Sequence, residues 1–354
     1  MNAPLNPSTV SLRVPDLGAP DEVRRIEGFV TEMGGTLFHT PQWLVAVENG
    51  AGPKATGLLA ERIGSIVGWL PLSQVHSPLF GRALVSSGFA VGGGVLATDD
   101  RVAERLFRGA QELAVRTNCP SVELRGGPVP ASWNSWSDRH AGFVAELAGD
   151  DKAQLLWIPR KQRAEVRKSL SGDLQVRVGR EEADRAAHYA VYAESVRNLG
   201  TPVFPRSLFD AMLDRFRDQA DILTVTLDGV PVSSVLSFYH DDTVMPYWGG
   251  GTFAARSLRA NERMYFELML HARRKGMTRF DFGRSKVDSG PYHYKKNWGF
   301  EPQPLTYAAW NADPAHARNI DPTDSSYSAK IELWKKLPLS LANRIGPFIA
   351  RGLA

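Results

Sequence analysis

The side chains best suited to do chemistry gather in the second half of the chain. Arg284 follows Arg279-Phe-Asp-Phe-Gly283, which alternates like a buried strand, so its guanidinium should stand at the strand's mouth. A guanidinium there suits a phosphate or carboxylate because it forks and stays charged; an internal pairing with Asp281 or Asp288 is the plain alternative. Asp281 alternates with Phe280 and Phe282, which puts it on the other strand face as a candidate proton acceptor. Asn261 is a good N-cap, and the amides behind it would receive a phosphate or a carboxylate. Tyr247 and Trp248 end a strand where a substrate cleft would open, with core packing as the rival role. Arg197 and Thr201 sit in Arg-Asn-Leu-Gly-Thr-Pro, a loop broken by Gly200 and Pro202, and loops of this kind often touch ligand. Arg163 and Arg167 belong to a basic helix, roughly 159–169, where Arg160, Lys161 and Lys168 also outnumber one acid, Glu165. It reads as a solvated face or as a cradle for diphosphate or anionic polymer.

Other chemistries lack support. Cys119 is the only cysteine, which excludes an intramolecular disulfide framework and fits a reducing compartment. No Cys/His spacing resembles a zinc site, and no metal is expected. None of the eight histidines forms a Ser-His-Asp constellation with its neighbours.

These residues are positioned by a duplication. Ala103–Asn118 reads as an amphipathic helix followed by the strand Ser121–Arg125, and 158 positions on, Asn261–Gly276 and Arg279–Gly283 repeat it without a gap. Glu104/Glu262, Arg105/Arg263, Ala114/Ala272, Arg116/Arg274 and Glu123/Asp281 coincide in identity or type. A triple glycine precedes each helix (Gly92–Gly94, Gly249–Gly251), and before it each half carries a hairpin, Leu58–Val67 and Leu223–Val232. A chain of 354 residues with 43% apolar content is long enough for about two such domains. The expected layout is a disordered segment over 1–21, a first domain over 22–158, a second over 159–314 and a basic amphipathic tail over 315–354.

From Ser328 to Ala354 in that tail, Lys330, Lys335, Lys336, Arg344 and Arg351 face only Glu332, which equals the whole chain's net charge of +4. Its apolar residues, among them Trp334, Leu341, Ile345 and Phe348, suit either a helix packed on the first domain or an interfacial segment attracted to anionic lipid. Pro338 and Pro347 should break it into short pieces. No apolar stretch is long enough to span a bilayer and no leader is evident, so a cytoplasmic location is expected, with peripheral contact to the inner leaflet as an option.

Tyr292-His-Tyr-Lys-Lys-Asn-Trp298 closed by Gly299-Phe300 resembles the C-terminal end of a GNAT (Gcn5-related N-acetyltransferase) domain. Together with Phe38-His-Thr-Pro-Gln-Trp43, Arg160-Lys-Gln-Arg163, Leu199-Gly-Thr-Pro202 and Arg279–Arg284, it resembles the FemAB-like family of tandem GNAT-fold acyl and aminoacyl transferases. The similarity is strongest to the branch associated with exosortase and PEP-CTERM exopolysaccharide systems. The resemblance implies an α/β (α+β) fold of two tandem GNAT-like domains with mixed, largely antiparallel sheets. It implies transfer of an acyl or aminoacyl group to an amine or hydroxyl of an anionic envelope, peptidoglycan or polysaccharide precursor, with acyl-CoA or aminoacyl-tRNA as donor and no bound cofactor. It also implies that Lys295, in the pair Tyr294-Lys295, stabilises the oxyanion and leaving group, and it favours Tyr247 as a precursor contact. For Lys295, a lone solvated lysine beside Lys296 is the alternative. Tyr292 and His293, just before that pair, are further candidate substrate contacts read from the sequence.

Two departures stand out. Ser257-Leu-Arg-Ala-Asn261 replaces the Gly-rich pyrophosphate loop of acyl-CoA users, and no heptad-bearing arm interrupts the second half. The first half has no counterpart of Tyr294-Lys295 after its Glu123 strand, so a single site in the second half is expected. A non-catalytic polysaccharide- or partner-binding module, with Trp133, Trp136, Tyr247 and Trp248 as platforms, is the alternative of a different class.

Overall fold

The computed structural model describes residues 9–313 and 325–353. In chain order the first part comprises β1 (Ser11–Arg13), α1 (Pro20–Glu32), α2 (Pro41–Ala51), β2 (Lys54–Arg62), β3 (Ser65–Ser77), β4 (Gly81–Ser86), β5 (Leu96–Ala97), α3 (Asp100–Arg116), β6 (Ser121–Arg125) and β7 (Asn134–Trp136). There follow β8 (His140–Glu146), α4 (Asp151–Trp157), α5 (Arg160–Leu170), β9 (Gln175–Gly179), α6 (Glu182–Leu199), α7 (Arg206–Phe216), β10 (Ala220–Leu227), β11 (Val230–His240) and β12 (Thr243–Gly251). The chain closes with α8 (Ala255–Leu258), α9 (Ala260–Arg274), β13 (Arg279–Asp281), β14 (Ser285–Lys286), α10 (Gly290–Asn297), β15 (Pro302–Pro304), β16 (Tyr307–Asn311), α11 (Ser325–Lys335) and α12 (Leu339–Ala350).

These elements form two compact units. In the first, the strands run β1-β2-β3-β4-β6-β16-β7 with β5 on β3; in the second, β14-β8-β13-β12-β11-β10-β9 with β15 on β8. Both sheets are mixed and largely antiparallel, each with one parallel pair, β4–β6 and β12–β13. Leu58, Leu70, Leu84, Leu106 and Val122 form the first core against α3, and Val225, Val235, Val244, Met264 and Phe280 form the second against α9.

The duplication holds in backbone detail. Ile63-Gly64 and Asp228-Gly229, 165 positions apart, turn the two hairpins with the same positive φ values, 50° and 78°. Two consecutive left-handed residues make the turn whose twist matches antiparallel strands. Each hairpin also carries one extra residue at the same place, between Ala60 and Glu61 against β3 and between Val225 and Thr226 against β11. The helix–strand repeat recurs as α3–β6 and α9–β13, both ending in step at 116 and 274.

The expected boundaries need correction. Residues 11–13 are not disordered: β1 pairs with β2, because Arg13 binds both Glu61, at 2.8 Å, and Glu22. Residues 1–8 lie outside the described residues. The division at 158/159 also moves, since β8 builds the second sheet and β16 the first. Each sheet thus takes the strand that follows the other repeat.

The closing segment is helical. Described residues up to Phe348 belong to the second unit, not the first as one reading of the tail expected, and only those from Ile349 join the first. The reason is close packing on the end of α6, where Gly200 lies under Ile331 and Gly346 under Val203. Pro338 separates α11 from α12, whereas Pro347 lies within α12 and does not end it.

Candidate active site

The second unit's sheet opens between its parallel strands. β11 pairs with β12 along the whole length of β12, from His240–Thr243 to Ser233–Gly251, but β13 pairs only with Thr243 and Val244. From Met245 to Gly251, then, β12 has no strand on that side among the described residues. A register shift at Leu236/Ser237 leaves Tyr247 as the extra residue, which bends the strand where it parts from β13. Glycines end β12 because neighbours crowd them. A Cβ on Gly250 would lie 2.1 Å from Ser195 Oγ, and one on Gly251 would lie 2.5 Å from Ala255 Cβ and 2.8 Å from Asn261 Oδ1. The N-terminus of α9 is thereby drawn up to the end of the open strand.

Across the opening, β13 leads into Gly283, at φ +72°, and then to α10. Ser289 caps α10 by accepting the Tyr292 N–H at 3.3 Å. That helix buries Lys295, which is 9% exposed, and its Nζ donates to the carbonyls of Gly283 at 3.1 Å and Arg284 at 3.0 Å. The rings of Phe143 and Phe282 stand 5.4 and 5.5 Å from Nζ. Burial disfavours the ammonium and, with the Asp281 charge only partly offsetting it, brings the lysine's pKa down to about 7. Asp281 Oδ1 accepts the Gly283 N–H at 2.8 Å, and burial raises its carboxyl above the ordinary range. Tyr294 packs among Tyr265, Phe282 and Trp298 and donates its hydroxyl to Glu262 Oε1 at 3.4 Å. Burial and the Glu262 charge hold that phenol well above its usual pKa.

Residues 160–296 match the family model described as an acetyltransferase (GNAT) domain. Among solved structures, FemX is similar at a TM-score of 0.61 and 13% identity, covering 80% of this chain and 95% of that one. A tandem GNAT protein from the clavulanic acid biosynthesis pathway scores 0.58 at 11% identity, covering 86% and 99%. The C-terminal domain of a putative lysylphosphatidylglycerol synthetase from Agrobacterium fabrum scores 0.56 at 13% identity, covering 83% and 93%. The chain has a tandem GNAT fold. It is an acyltransferase of GNAT type, with the matched domain in its second half. No curated protein matches its sequence.

In the second GNAT domain the residues singled out from sequence separate into groups. Lys295, Tyr294, Asp281, Arg284 and Tyr292 meet around β13 and α10; Tyr292 packs edge-on against Phe143, and the Arg284 side chain is exposed. His293 is exposed on the same helix. Trp248 is buried among Phe204, Phe209 and Phe238, while Tyr247 is half-buried beside Phe238 and Trp248. Asn261 is not the N-cap of α9. That position is held by Arg259 at φ +55°, and Asn261 Oδ1 instead accepts the Ser233 hydroxyl at 2.6 Å. Arg197 is not on the loop but in the last turn of α6, because the helix runs on to Leu199 before Gly200 ends it; it donates to the Lys335 carbonyl at 3.2 Å and so fastens α11, and Thr201 is exposed past the end of α6. Arg163 donates Nε to the Ile158 carbonyl at 3.0 Å, leaving Arg167 exposed on α5.

Two participants went unsingled. Phe143 comes from β8, in the first half by sequence, so no local signal ties it to Lys295. Glu262 had a signal, its match with Glu104 in the repeat, but its meeting with Tyr294 depends on tertiary packing.

Proposed function

We propose that the protein moves an acyl or aminoacyl group onto an amine or hydroxyl of an anionic cell-envelope, peptidoglycan or exopolysaccharide precursor, at one site in the second GNAT domain. The observation that carries this reading is Lys295, whose buried Nζ spends two of its three hydrogens on the carbonyls beyond β13. The third hydrogen is the one offered to substrate. The acceptor's nitrogen or oxygen attacks the donor carbonyl, the oxyanion draws on the ammonium, and the adduct collapses as the leaving sulfur or oxygen takes a proton from Lys295. Solvent takes the proton that the acceptor loses and returns one to Lys295, so the turnover is proton-neutral. A pKa of about 7 suits a group that must both hold a charge and release a proton near neutrality.

The unpaired edge of β12 offers backbone N–H and C=O groups to an extended donor, and the α9 N-terminus favours its anionic portion. Acyl-CoA supplies both features; aminoacyl-tRNA supplies the anion and an ester instead of a thioester. Likeness to FemX and to a putative lysylphosphatidylglycerol synthetase domain supports an envelope acceptor. The exposed cations Arg284, Arg167 and Arg160 support an anionic one. An open carbohydrate platform gains no support from Trp133 and Trp248, which are 6% and 5% exposed.

The test is turnover of radiolabelled acyl-CoA and charged tRNA pools on envelope precursors by wild type and Lys295→Met. We expect the variant to fold and to lose at least about a hundredfold in rate, the scale of removing one oxyanion donor. A folded Lys295→Met enzyme with wild-type turnover would overturn the assignment.

A further inference from the structure

The closing helix is built inside out. Ala342, Gly346 and Ala350 recur every four residues on α12 and are buried, while Leu341, Arg344, Ile345 and Phe348 are exposed. Closeness explains the small face, because a Cβ on Gly346 would lie 3.0 Å from the backbone N and the Cγ1 of Val203. Among the described residues, nothing packs large apolar side chains of the outer face into a core. Leu341 is nevertheless 41% exposed and Ile345 38%, with Leu333 of α11 at 66%. Such a stripe marks a surface that something else covers.

Charge says what covers it. From Leu333 to the last residue the sequence has no Asp or Glu, yet it carries Lys335, Lys336, Arg344 and Arg351. Among these Lys335 pairs with Glu332 at 2.6 Å, and Lys336 and Arg344 are exposed, Arg344 within the apolar stripe itself. One-signed charge around a narrow apolar stripe fits a diffuse anionic surface with an apolar interior. No helix among the described residues is long and apolar enough to cross a membrane, so the helix would lie in the interface.

We propose that α12, with the adjoining basic residues of α11, docks the protein on an anionic lipid bilayer. The aliphatic side chains enter the headgroup–acyl boundary, and Lys336 and Arg344 meet lipid phosphates. This inference does not depend on the transfer chemistry.

The test is flotation of the full-length protein with vesicles of phosphatidylcholine alone or mixed with phosphatidylglycerol. Two variants are compared, Leu341→Ser with Ile345→Ser, and Lys336→Glu with Arg344→Glu, both checked for an unchanged thermal melt because the positions are exposed. We expect wild type to float with the anionic vesicles only and each variant to bind about tenfold more weakly or worse. The proposal is overturned if wild type fails to float, if it floats equally with phosphatidylcholine alone, or if both variants float like wild type. A concentration-dependent dimer that the serine variant abolishes, without flotation, would assign the stripe to a second copy and equally overturn it.

Discussion

At the scale of single residues, Lys295 shows how little a local pattern says about burial. Lys295 and Lys296 are adjacent on α10, yet one lies under Phe143 and Phe282 while the other is exposed beside Tyr292. One step of helix, about 100°, separates the two fates. The motif singled out Lys295 without its burial, and its bonds to the Gly283 and Arg284 carbonyls go with Gly283 turning left-handed after β13. Burial makes a pH prediction. With a folded pKa of about 7 against an ordinary 10.5, the unfolded chain holds a proton between those values that the folded chain has shed. Stability from this group therefore rises with pH across that window, and below about pH 7 the folded state bears the whole cost of a buried cation. Lys295→Met should remove that slope, gaining on wild type by on the order of 3 kcal/mol between pH 9 and pH 6 in urea titrations. Parallel pH profiles for the two proteins would show that the ammonium is not buried as described.

At the scale of elements, glycine decides where strands and loops can touch, and the two triple glycines do it differently. In the second domain Gly250 and Gly251 let α6, α8 and α9 close on the end of β12, while past Val244 the strand has no partner on its β13 side among the described residues. In the first, a Cβ on Gly94 would lie 1.8 Å from the Gly126 carbonyl oxygen, so the corresponding stretch is packed against the chain leaving β6. Arg125 seals that place: buried, it binds Glu123 at 2.8 Å and donates to the Ser87 and Ala90 carbonyls. The same repeat thus yields one opened and one closed counterpart. Gly94→Ala should destabilise the protein by about 3 kcal/mol or more, since the blocking atom is backbone. Gly149→Ala, with nothing within 4 Å of the new Cβ, is the control and should be near neutral. Equal melting temperatures for the two variants would sink the close-packing account.

At the scale of the whole molecule, the duplication was legible because its marks are local: a two-residue left-handed turn, an amphipathic helix, a short strand in fixed order. The exchange of strands was not. β8 and β16 are short runs of ordinary strand formers, and nothing in His140–Glu146 or Tyr307–Asn311 distinguishes pairing with β13 from pairing with β6. Partner choice there is a property of the assembled sheets, which is why the division at 158/159 looked natural from sequence. The exchange has a consequence for folding. A fragment ending at residue 158 lacks β16, so the β6 edge loses its ladder from Tyr307↔Arg125 to Asn311↔Ser121, and the apolar β8 is left without its sheet. A fragment starting at residue 159 lacks β8, which exposes the β13 edge and removes Phe143 from beside Lys295. Neither fragment should melt cooperatively or stay monomeric on its own, whereas the intact chain should, and mixing the two should restore structure because each carries the strand the other needs. Calorimetry and amide-proton NMR on the separate and mixed fragments decide the matter. A cooperative transition in either fragment alone would mean that its sheet closes without the borrowed strand, and that the doubled chain is two folding units instead of one.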